Sequence, residues 1–128
     1  MSTDALTPVE VESKLRGLVN DLGRARVTLA QARNLEVDAK HEYERARRRV
    51  MLGDKAPKVT RGGYTTAERD AFVDDQVSDL RFAYDKATVT REAAQDHLRV
   101  LMAQAEIVRS LGASVRQAYE LAGVGVGS

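Results

Sequence analysis

Apolar residues recur in steps of three and four along two long stretches of this chain, separated by a short polar segment rich in glycine. In the first stretch Leu15, Leu18, Leu22, Ala25, Leu29, Ala32, Ala39, Tyr43, Ala46 and Val50 form one seam, interrupted only by Glu36. In the second, Val73, Val77, Leu80, Tyr84, Ala87, Ala94, Leu98, Leu101, Ala105 and Val108 form another, interrupted only by Arg91. This spacing keeps one stripe of an α-helix apolar over many turns and packs knobs into holes.

The boundaries of both stretches carry helix signals. Thr7-Pro8-Val9-Glu10 supplies a capping hydroxyl, a proline at the first helical position and a glutamate that closes a capping box. Gly53 and Pro57 stop the first helix, and Gly62-Gly63 sits in the connection. Thr65-Thr66-Ala67-Glu68 is a second capping box. Gly17 and Gly23 weaken the first helix by about 1 kcal/mol each relative to alanine. Gly112 predicts a break, Ser114 caps a short final helix, and the glycine-rich end predicts a flexible tail.

These signals predict an all-α single domain over 1–128: a helix at about 8–52, a basic loop at 53–64, a helix at about 66–111, a short helix at about 114–122 and a tail at 123–128. At 1.5 Å per residue each long helix would span roughly 60–65 Å. The short connection favours a long antiparallel helical hairpin, coiled-coil-like, with a short C-terminal helix. Counting outward from the loop places Glu36 nearer Arg81 or Phe82 and Arg91 nearer Val27, so the two polar interruptions are not expected to pair. The second helix carries a further apolar stripe of Phe72, Phe82, Val89, Ala93, Val100, Ile107 and Leu111. One seam per helix is thin support for such a rod, and a second stripe left in water is larger than monomers tolerate. Phe72, Phe82, Val89, Val100, Ile107 and Leu111 are therefore expected at an interface between copies of this chain.

Composition agrees with long helices: 30% of the 128 residues are charged and 43% hydrophobic, with no tryptophan and two prolines. The absence of cysteine removes disulfides and thiolate metal sites and favours a reducing compartment. The first residues lack a basic and apolar leader, and no apolar run approaches membrane-spanning length, so a soluble intracellular protein is expected.

Charge changes the picture most. Arg45, Arg47, Arg48, Arg49, Lys55, Lys58 and Arg61 share one short segment with a single acid, Asp54. That segment carries +6 within a chain of formal charge +1, so the remainder carries −5. Cations at the end of a helix complement its dipole, but one or two suffice for that. Seven exceed it and point to a polyanion. With no groove-reading helix or zinc finger, single-stranded nucleic acid fits better than duplex, and Tyr64 beside Arg61-Gly62-Gly63 offers one stacking surface. Binding would be largely independent of base sequence.

Catalytic chemistry is not evident. His41 and His97 each lack a His or Cys at ligand spacing, and the glycines do not match a phosphate-binding loop. The acids Glu68, Asp70, Asp74, Asp75 and Asp79 are explained by the positive end of the second helix, and they also lie where they could restrain the basic segment. No catalytic residue, metal or cofactor is expected.

Two stretches resemble the UvsY-type recombination mediators of T-even and related phages. Arg45-Ala46-Arg47 running to Gly53 is similar to that family's Lys-Ala-Arg segment ending in a glycine-bearing loop. Ile107 to Ala118 is similar to its late Ser-x-Gly turn and short helix. The shared order covers residues 25 to 122; the first 24 match poorly. The resemblance implies a non-enzymatic ring of six or seven subunits that binds single-stranded DNA. It further implies a role in loading a RecA-like recombinase onto DNA coated with single-strand-binding protein, in the cytoplasm of a phage-infected bacterium. The family's DNA-contacting Lys and Arg fall on Arg45 and Arg47. An arginine replaces the lysine, Val50-Met51 replaces an aromatic pair, and a basic loop replaces a more acidic one. The alternative is a structural or adaptor coiled coil, such as a phage assembly factor or an inhibitor of a host protein, whose arginines meet an acidic surface. Attachment to anionic lipid is weaker, because the tip lacks a Trp/Phe/Leu face.

Overall fold

The computed structural model describes residues 6–127, with side chains as far as 123. The described residues form three helices, α1 Pro8–Leu52, α2 Thr66–Gln76 and α3 Ser78–Gly127. The all-helical expectation holds.

The Thr7–Glu10 capping box forms in full, whereas at Thr65–Glu68 only the hydroxyl cap forms. Glu10 N–H donates to Thr7 Oγ1 at 3.2 Å, and Thr7 N–H donates to Glu10 Oε2 at 3.3 Å. At α2, Glu68 N–H donates to Thr65 Oγ1 at 3.1 Å, and the Thr65 hydroxyl turns to the Glu68 carboxylate at 3.3 Å. Each arrangement satisfies helix-end donors that would otherwise lack partners.

The chain divides into two compact units, Met1–Leu29 with Ala94–Ser128, and Ala30–Ala93. In the first, Val11, Ala25 and Leu29 of α1 and Leu101 and Ala105 of α3 are buried. Val11 faces Gly112, while Leu18 and Asp21 further along α1 share a recess with Gln104 and Val108 earlier in α3, so the two helices are antiparallel there. In the second, Ala32, Val73 and Val77 are buried, with Val73 fully so. Tyr43 stacks on Tyr84 with ring centroids 6.1 Å apart. The seams predicted from spacing are the surfaces that pack.

Glu36 and Arg91 do pair, contrary to the loop-counting expectation. Arg91 Nε donates to Glu36 Oε1 and Nη2 to Oε2, both at 3.1 Å, with side chains 25% and 19% exposed for Arg91 and Glu36. The residue numbers total 127 in this pair and in Tyr43–Tyr84. On that register the end of α1 faces the last turn of α2, so the earlier turns of α2 project beyond Leu52. The connection is therefore not a symmetric bend. Ala56 in the connection is buried at 8% exposure, and Val73 and Val77 of the following helical stretch at 0% and 3%.

Two helix boundaries also differ. The second helical stretch is interrupted at Val77, where φ is −111° and ψ 16°. Asp74, Asp75, Ser78 and Asp79 crowd this turn, and short polar side chains compete with the backbone for hydrogen bonds. The ladder still passes through, since Val77 N–H reaches Val73 O at 3.2 Å and Arg81 N–H reaches Val77 O at 2.9 Å. At Gly112, by contrast, α3 does not break. A Cβ there would lie 2.8 Å from Val11 Cγ1, so the glycine permits close helix approach. The expected short helix and tail are instead the continuation of α3 to Gly127; Ser128 lies outside the described residues.

Candidate nucleic-acid interface

The basic segment falls wholly within the Ala30–Ala93 unit. Helical geometry separates its arginines onto two flanks of α1. Arg45 and Arg49, one turn apart, line a shallow recess of about 200 Å³ with Glu42, Ala46 and Leu80. Arg47 points to the other flank and forms an ion pair with Asp74 of α2. Its side chain is 30% exposed, whereas Arg45, Arg48 and Arg49 are exposed residues. The hydrogen bond that Arg47 donates to Asp74 raises the Arg47 pKa above its ordinary value, against a smaller opposing effect of burial.

The connection between α1 and α2 is more structured than a flexible loop. Gly53 N–H bonds Val50 O at 3.2 Å and Ala56 N–H bonds Gly53 O at 3.4 Å. A tight turn over Thr60–Gly63 is closed by Gly63 N–H to Thr60 O at 3.0 Å, with Gly62 at φ +79°. That angle at the third position is the type II requirement, which only glycine meets cheaply. The turn sets Arg61 at its tip and brings Val59 and Tyr64 into an isolated β-bridge. Lys55, Lys58 and Arg61 are exposed, and Tyr64 is 55% exposed. Among the described residues Arg45, Arg48, Arg49, Lys55, Lys58 and Arg61 make no ion pair. Six cations thus remain available to an external anion, and Arg47 is engaged within the chain.

Of the acids grouped by sequence, Asp74 meets Arg47 and Asp70 lies 3.6 Å from Arg69. Among the described residues no group of three or more acids, histidines or cysteines converges to hold a metal ion. His41 and His97 are exposed.

A cluster beside the arginines escaped the sequence reading. Arg81 donates to the Tyr43 hydroxyl at 3.2 Å and lies 5.5 Å from the Tyr43 ring centroid. Tyr43 and Tyr84 were visible as seam residues; that Arg81 would cap them depended on register. The apolar stripe of α3 is exposed at Phe82, Val89, Val100, Ile107 and Leu111, between 45% and 65%, whereas Phe72 of α2 is half-buried. No helix among the described residues is long and apolar enough to cross a membrane.

No protein-family model, curated protein or solved structure matches the chain.

Proposed function

We propose that this chain is a non-enzymatic, single-stranded-DNA-binding recombination mediator or accessory protein. In this reading it self-associates and helps load a RecA-like recombinase onto strands coated by single-strand-binding protein. The supporting observation is the set of six exposed, unpaired cations from Arg45 to Arg61, spread over a helix end and an ordered turn. A phosphodiester backbone offers evenly spaced charges to such a set, and nothing in it selects particular bases. Tyr64 supplies a face on which one base stacks. The exposed stripe from Phe82 to Leu111 supplies the surface between protomers, whose assembly into a ring multiplies weak contacts.

The test is an anisotropy titration of labelled oligo-dT against matched duplex at about 50 mM salt and above. Preferential single-strand binding that weakens with salt is expected. No single-strand binding at the lowest salt ends this reading.

The same exposed stripe also favours a second reading, a structural or adaptor coiled coil that binds another protein's helix. Replacing Arg45, Arg48 and Arg49 with alanine separates the two: DNA binding falls and assembly persists under the first reading, whereas only protein capture changes under the second.

A further inference from the structure

We infer that Asp74 is an internal competitor for the strand, holding Arg47 in the free chain and yielding it to a phosphate when nucleic acid binds; this rests on the reading above. Arg47 is the one cation of the segment with an ion-pair partner among the described residues, and the partner comes from a different helix. Guanidinium binds carboxylate and phosphodiester through the same planar fork, so a phosphate fits where the Asp74 oxygen now sits. Asp74 is 60% exposed, which leaves the pair open to an incoming strand.

The exchange is a side-chain event. Val73 precedes Asp74 and Val77 follows one turn later, and both are buried, at 0% and 3% exposure. They keep the α2 backbone in place while the carboxylate swings away. The surroundings reinforce the competition, because Glu68, Asp70 and Asp75 put further negative charge on α2 against the single cation Arg69. A lone anion must displace Asp74 for one new contact. A strand displaces it while also reaching Arg45, Arg48 and Arg49, so the pair raises the threshold against sparse anions and spares a dense polyanion.

The test compares Asp74→Asn with Asp75→Asn. Asp75 is the adjacent acid and has no ion pair among the described residues, so its substitution removes the same charge without freeing Arg47. Oligo-dT affinity is measured across a salt series, with helix content and melting followed for each protein. Asp74→Asn should bind up to about fivefold more tightly at low salt, the fold-change an exposed ion pair represents. Its salt slope should match wild type, since Arg47 reaches the same phosphate in both complexes; a slope steeper by about 0.7 would mean that Arg47 stays with Asp74 in the wild-type complex and would overturn the release. Arg47→Ala should cost more affinity in the Asp74→Asn background than in wild type. Equal gains from Asp74→Asn and Asp75→Asn would reduce the effect to general charge and overturn the inference, as would wild-type binding left unchanged by Asp74→Asn. Should Asp74→Asn melt early, Asp74→Ser is measured in its place. If neither wild type nor variant binds oligo-dT, the function proposed above fails and the competitor role falls with it.

Discussion

Glu36 and Arg91 illustrate how two residues that look like defects singly become a specification as a pair. Each interrupts an apolar seam with a half-buried charge, and together they form a bidentate contact. A polar layer of this kind disfavours every register in which the two do not meet. The Arg91 hydrogen bonds hold the Glu36 carboxyl below its ordinary 4.5. A carboxyl with a depressed folded-state pKa contributes stability above its unfolded value and loses it as pH falls through the folded one. Melting temperature should therefore drop on acidification below about pH 4.5, and Glu36→Gln should flatten that part of the profile while lowering the melting temperature near neutrality by a few degrees. An unchanged acid limb in Glu36→Gln would remove Glu36 from the account. The exposed arginines act independently of this layer. Arg45, Arg48 and Arg49 replaced together by alanine should shift the slope of log affinity against log salt by roughly 2, at about 0.7 per phosphate, with the helical fold retained.

Glycine has opposite effects at different places in the helices. Gly17 and Gly23 meet nothing that a Cβ would touch, so alanine there should stabilise by about 1 kcal/mol each through helix propensity alone. At Gly112 the same propensity gain competes with overpacking against Val11, which costs typically 1–3 kcal/mol. Gly112→Ala should therefore be neutral to destabilising, and Val11→Ala should relieve the overpacking; chemical denaturation of the single and double variants measures this. Val73 is the largest fully buried side chain, and Val73→Ala should destabilise by about 2 kcal/mol, from two lost methyl groups and the remaining cavity. The ends of α1 and the start of α2 were legible because caps, prolines and glycines act within one turn of themselves. The interruption at Val77 and the continuity through Gly112 were not, because each depends on what the neighbouring helix presents.

For the molecule as a whole, the unresolved balance is between its interior seam and its outer stripe. Each of its two units buries a seam of small and aliphatic residues while leaving large apolar side chains of α3 in water. Self-association is the proposed use of that surface. Light scattering at micromolar concentration should show an oligomer, and Ile107→Glu with Val100→Glu should shift it toward monomer while both helical seams remain intact. A monomeric wild type would remove the interface from the proposal and leave the cation set to act alone.

Heptad spacing determined that the chain is helical and which face of each helix packs, because side-chain direction follows residue number within a helix. The linear order of charges likewise placed a dense basic segment beside a helix end. Tertiary structure alone decided which cations of that segment are free and which is held, and it decided the register that brings Glu36 to Arg91. Those outcomes depend on distances between residues far apart in the chain, and no local pattern encodes them.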